Sequence, residues 1–148
     1  MKVALGGTFD PLHEGHKRLI RKAFSISKDV VFGVTSDDMA RKRLRTVLPY
    51  EIRVKNLKDY VKRCYGVDAK VVKINDYYGK TLEEDFDYIV VSSETYENAK
   101  MINKKRVEMG KKPITIVVVD FVLAYDRKPI SATRIRNGEI DRFGYRII

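Results

Sequence analysis

Cysteine occurs once in this sequence, tryptophan not at all, and histidine only twice in 148 residues. A lone cysteine, Cys64, has no partner for an internal disulfide. This excludes a disulfide-stapled scaffold and makes a reducing compartment, the cytoplasm, the expected location. No apolar run approaches the roughly 18 residues that a membrane-spanning helix needs, so no membrane partner is expected. The opening MKVALGGTFDP passes from a short apolar stretch straight into glycine and lacks the apolar core and cleavage site of a secretory signal. Acids are in the minority: 20 Asp and Glu against 30 Lys and Arg give a net charge of +10. That balance points to an anionic partner. The apolar fraction of 44% is ordinary for a globular chain and argues against disorder. The length suits one domain, residues 1–148, and the sequence carries no repeat, no linker and no signal for an oligomeric state.

What is present alternates between two periods. Strand patterns fall at 2–5, 29–35, 71–74, 88–91 and 114–119, and helical patterns at 15–27, 50–64, 95–109 and 131–138. DVVFGVT at 29–35 is a near-continuous apolar run, expected to be buried on both faces. Pro49 suits the start of the second helix and Gly66 its end. Residues 75–87 are polar and expected to be irregular. Short strands alternating with longer helices imply right-handed βαβ crossovers, hence an α/β fold: a Rossmann-like, doubly wound, mainly parallel five-stranded sheet. Ligands of such sheets sit beyond the carboxyl ends of the strands. The site is therefore expected in the loops at 6–12, 35–48, 92–96 and 121–133.

The first of these loops carries the sharpest chemistry. In Gly6-Gly7-Thr8-Phe9-Asp10-Pro11-Leu12-His13-Glu14-Gly15-His16, two glycines end the strand. They permit positive φ and close approach of backbone to a ligand. The following helix offers free N–H groups and its positive end to an anion. The pattern is neither GxxxxGK[ST] nor GxGxxG. In place of a lysine it has His13 and His16, the only histidines, three apart on one side of the first helical turn, with Gly15 leaving room where phosphates would pack. Two ordinary readings compete, a tight turn with capping histidines and a zinc site. The zinc reading fails on ligand count, since Cys64 is remote and no HExxH exists.

Thr8-Phe9-Asp10-Pro11 with His13-Glu14-Gly15-His16 resembles the (T/S)F(D/G)xxHxGH signature of the HxGH nucleotidylyltransferase superfamily. Ile130-Ser131-Ala132-Thr133-Arg134-Ile135-Arg136 resembles that superfamily's ISSTxxR signature, with Ala132 in place of the second serine. Position 132 therefore offers a backbone N–H but no hydroxyl. Three further segments are similar to the archaeal and eukaryotic type of phosphopantetheine adenylyltransferase: Pro49-Tyr50-Glu51-Ile52-Arg53-Val54, Val91-Ser92-Ser93-Glu94-Thr95-Tyr96 with Asn103 and Arg106, and Arg136-Asn137-Gly138-Glu139-Ile140-Asp141. The resemblance covers nearly the whole chain. A segment like RTEGIST, typical of cytidylyltransferases, is missing.

The resemblance implies transfer of AMP from ATP to 4′-phosphopantetheine, giving dephospho-coenzyme A and pyrophosphate, with Mg²⁺ accompanying ATP. The nucleophile is then an ionised phosphate, no general base is needed, and the protein positions substrates and stabilises charge. The residues implied as catalytic are His16, Lys42 and Thr8. Those implied for ATP are Gly7, Thr8, Phe9, His13, Gly15, His16, Ser92, Ser93, Ser131, Ala132, Thr133 and Arg136. For the acceptor phosphate they are Thr8 with Arg41 or Lys42. No direct metal ligands stand out. Each has an ordinary alternative: core packing for the Phe9 ring, N-capping for Ser131, Ser93 and Thr95, a solvated surface for the 41–43 cluster. Two rival functions remain. One is a sibling enzyme using nicotinamide mononucleotide, flavin mononucleotide or glycerol phosphate. The other is a nucleic-acid-binding module, disfavoured because the charge is dispersed and the aromatics do not form a stacking platform.

Overall fold

The computed structural model describes residues 1–42 and 46–147. Five strands form one parallel sheet: β1 (Lys2–Gly7), β2 (Asp29–Thr35), β3 (Lys70–Ile74), β4 (Tyr88–Val91) and β5 (Thr115–Val118), in the order β3-β2-β1-β4-β5. The chain first builds outward through β2 to β3, then returns to place β4 on the other side of β1. The switch point therefore lies between β1 and β4, as expected for a doubly wound sheet.

The helices are α1 (Glu14–Ile26), α2 (Asp37–Arg41), α3 (Tyr50–Tyr65), α4 (Tyr96–Glu108) and α5 (Ala132–Arg136). Strand alternation divides the core. Val3 and Leu5 of β1 face α1 and α3, where Ile20, Ala23, Leu57 and Val61 are buried with them. Ala4 faces the opposite way with Val91, toward Ala99 and Ile102 of α4. A fully buried side chain such as Ile20 or Leu57 contributes about 2 kcal/mol through removal from water. The apolar run of β2 is buried along nearly its whole length, which its place beside the central strand requires.

Two expectations are corrected. The stretch after β2 is not simply a loop. Ser36 Oγ accepts the Met39 N–H at 3.2 Å and caps the short α2. Within 75–87, Gly79–Leu82 forms a 3₁₀ turn. Pro49 does precede α3, and Gly66 ends it in the left-handed region at φ 68°, donating its N–H to the Lys62 carbonyl.

Candidate active site

A cavity of about 580 Å³ opens at the carboxyl edge of β1 and β4. Gly6, Gly7, Thr8, His13, Gly15 and His16 form one wall. Ser92, Glu94 and Thr95, after β4, form a second. Residues 119–122, after β5, and 130–133, at the start of α5, complete it.

The two glycines serve close approach rather than positive φ. Both lie in β1, paired in register with Gly33 and Val34 of β2, and a Cβ on Gly7 would stand 3.2 Å from the Phe9 ring. The left-handed residue of this loop is Phe9, at φ 56°. Its ring is buried 5.1 Å from His16 and 6.3 Å from Phe32, centroid to centroid, so packing of the ring offsets an unfavourable backbone.

His13 and His16 form a reciprocal cap on α1. His13 Nδ1 accepts the Gly15 N–H at 3.0 Å, and His16 Nδ1 accepts the His13 N–H at 3.2 Å. This is a capping box with imidazoles standing where hydroxyl and carboxylate groups usually do. Because both Nδ1 atoms accept, both rings carry their proton on Nε2. The rings stack, 3.8 Å between centroids and 24° between planes. Burial pushes the His13 pKa down to about 4, with Glu14 opposing weakly. Burial also holds His16 well below its ordinary range, reinforced by His13 beside it and opposed by the Pro11 carbonyl. The pair is therefore neutral at pH 7, and both residues line the cavity wall.

Opposite them, Ser131 caps α5, its Oγ accepting the Arg134 N–H at 3.2 Å, and leaves the first N–H groups of that turn toward the cavity. After β4, Thr95 Oγ1 accepts the Ser92 N–H at 3.2 Å and holds that turn.

Of the residues expected from sequence, the fold brings Gly7, Thr8, His13, Gly15, His16, Ser92, Ser131, Ala132 and Thr133 to one cavity. Five others lie off its wall. Phe9 is in the core. Ser93 is exposed in the turn before α4. Arg41 and Lys42 are exposed at the end of α2, Arg41 Nη1 being 3.9 Å from Asp38. Arg136 is paired with Asp10 at 2.7 Å. The expected loop 35–48 supplies no wall residue among those described, and its residues 43–45 lie outside the description.

Residues that the sequence reading did not assign also shape the site. Glu94, Asp120 and Phe121 line the cavity. Arg53 is wholly buried beneath it, donating to the Leu48 and Thr8 carbonyls, to Thr35 Oγ1 and to Asp37 Oδ1. That guanidinium holds the Asp37 carboxyl below its ordinary range. The signal for Arg53 was available: it shares a helical stripe with Leu57 and Tyr60, where a charge is out of place unless fully paired.

Residues 4–138 match the cytidylyltransferase-like family model. A phosphopantetheine adenylyltransferase of Archaeoglobus fulgidus is 61% identical over 145 residues, which cover 97% of this chain and 98% of that protein. One of Methanosarcina mazei is 52% identical over 147 residues, 97% of this chain and 95% of that protein. Among solved structures, an Archaeoglobus fulgidus protein described as of unknown function superposes with a TM-score of 0.80 at 56% identity, covering 88% of this chain and all of that one. The chain belongs to the cytidylyltransferase-like family of nucleotidyltransferases and, within it, to the phosphopantetheine adenylyltransferases.

Proposed function

We infer that the chain transfers AMP from ATP to 4′-phosphopantetheine, yielding dephospho-coenzyme A and pyrophosphate in coenzyme A biosynthesis. The observation that carries this reading is the convergence of the paired imidazoles, Thr8 and the start of α5 on one cavity at the switch point of a chain from this family. In the reaction an oxygen of the acceptor phosphate forms a bond to the α-phosphorus of ATP, and the bond from that phosphorus to the bridging oxygen breaks. Pyrophosphate leaves with the electron pair. No proton need be removed from the nucleophile, which fits a site whose histidines are neutral donors rather than bases.

The Nε2–H of His16 is assigned to the α-phosphate as charge builds there, and His13 to the neighbouring phosphates. A donor so placed is worth about 3 kcal/mol in the transition state. Ser131, Thr133 and the N–H of Ala132 take the β- and γ-phosphates, and the turn at Ser92 the adenosine. Lys42 or Arg41 serves the acceptor phosphate, which requires their long exposed side chains to reach from the end of α2. Among the described residues no three His, Cys, Asp or Glu side chains cluster as a metal centre. Mg²⁺ enters this scheme with the nucleotide, where phosphate oxygens and water are its usual ligands. No helix of the described chain is long and apolar enough to cross a membrane, and the single cysteine supports a cytoplasmic setting.

The test is pyrophosphate release from ATP with a panel of acceptors. 4′-Phosphopantetheine is expected to support turnover, and nicotinamide mononucleotide, flavin mononucleotide and glycerol phosphate are not. Preference for any of those three overturns the acceptor assignment while leaving the reaction class standing.

A further inference from the structure

Beneath the cavity, three side chains from three elements stand in line: Arg53 of α3, Thr35 at the end of β2 and Thr8 in the first loop. Arg53 Nη1 lies 3.3 Å from Thr35 Oγ1, and Thr35 Oγ1 lies 3.0 Å from Thr8 Oγ1. Arg53 is fully buried, Thr35 is 9% exposed, and Thr8 lines the cavity.

Donor and acceptor chemistry gives this line a direction. A guanidinium has no acceptor, so Thr35 Oγ1 must accept from Arg53. The hydroxyl proton of Thr35 then needs an acceptor of its own, because a buried donor left unpaired is costly. Thr8 Oγ1 is the partner within reach. Thr8 therefore accepts from below, and its own proton is left for the cavity. We propose that the Arg53–Thr35 pair is a positioning relay that fixes Thr8 as a hydrogen-bond donor toward a substrate phosphate. The proposal rests on the assignment of Thr8 to phosphate made above.

The relay also fixes the place of that donor. The same Nη1 binds the Thr8 carbonyl at 3.1 Å, and Nη2 binds Asp37 Oδ1 at 2.9 Å. One immobile group thus holds the hydroxyl, the backbone of the phosphate loop and the start of α2. Without it the Thr8 hydroxyl would sample rotamers that present a lone pair to the phosphate, which repels rather than binds. A single donor aimed at transition-state charge is commonly worth a hundredfold or more in rate, so control of its polarity falls on turnover.

Thr35→Val tests the relay, since it keeps the shape and removes only the hydroxyl, and Arg53 retains its bond to the Thr8 carbonyl. The expected result is a fall in kcat of about tenfold, read where the variant is fully folded, because the buried Arg53 N–H left without its acceptor lowers the urea midpoint as well. Thr35→Ser, which restores the hydroxyl, recovers the rate. Thr8→Val loses about a hundredfold, and Thr8→Val with Thr35→Val loses no more than Thr8→Val alone, because Thr35 acts only through Thr8. If Thr35→Val does not fold, Thr35→Cys, a weak donor, gives the same readout with an intermediate fall. Full activity of Thr35→Val or of Thr35→Cys beside an impaired Thr8→Val overturns the relay. Full activity of Thr8→Val removes the phosphate contact beneath it. In either case the acceptor panel is unaffected and still tests the reaction itself.

Discussion

Asp10 Oδ2 stands 2.7 Å from Nη2 of Arg136, joining the first loop of the fold to its last helix. The two residues are 126 apart in the chain. The same carboxylate oxygen accepts the Leu48 N–H, so the approach to α3 is tied in as well. Asp10 is buried, and Arg136 reaches solvent along only part of its side chain. The pair lies off the cavity wall, to which the imidazoles and Ser131 contribute.

Removing the carboxylate strands a mostly buried guanidinium whose Nε has no partner among the described residues. Asp10→Ala is expected to cost about 3 kcal/mol, at the lower end for a broken buried pair because Arg136 is partly hydrated. Urea unfolding measures it. Asp10→Asn keeps an acceptor for Leu48 and is expected to lose less.

The histidine pair makes stability fall on mild acidification. His13 takes up its proton near pH 6.5 when unfolded but only at about 4 when folded, so across that window the unfolded chain binds more protons. Its neutral form stabilises the fold fully above the unfolded value and progressively less as pH drops toward 4, a loss of about 3 kcal/mol in all. His16 acts in the same direction. The carboxylates with lowered pKa values, Asp37, Asp85 and Asp126 among them, keep their contribution until pH falls into the ordinary carboxylate range, about 4, and lose it from there downward. Urea midpoints between pH 7.5 and 5 therefore isolate the imidazoles, and His13→Asn, which still caps the helix, is expected to flatten the slope.

Gly15 sits against the His13 ring. A Cβ at this position would be 2.7 Å from Cε1 and 2.9 Å from Nδ1 of that imidazole. Gly15→Ala must move the ring off its stack and break the cap, so turnover is expected to fall about tenfold. Helix propensity offsets the lost cap, and the urea midpoint should shift little. His16→Ala is expected to lose about a hundredfold in kcat, measured by steady-state pyrophosphate release. Unchanged turnover would remove its assigned role.

Lys42→Ala is expected to raise KM for 4′-phosphopantetheine about tenfold with KM for ATP nearly constant, the pattern of a contact to one substrate's phosphate. If Arg41→Ala shows that pattern instead, the neighbouring side chain carries the contact. Both are exposed, so neither variant should unfold the chain.

Period and punctuation in the sequence determined much of the architecture. Apolar runs of four to seven residues between helical repeats left little choice but parallel strands with crossovers. The Gly-Gly end of β1, followed by the only two histidines, marked the wall on which the site is built. Local spacing sufficed there because strand end, loop and helix cap are contiguous. Tertiary structure alone decided the rest. That Phe9 turns inward at positive φ against Phe32, that Arg136 spends its charge on Asp10, and that Arg53 reaches Thr8 through Thr35 depend on contacts between segments, with partners 18 to 126 positions apart. A buried charge settles on whichever partners the packed elements bring within about 3 Å, and no pattern along one segment records where another segment will lie.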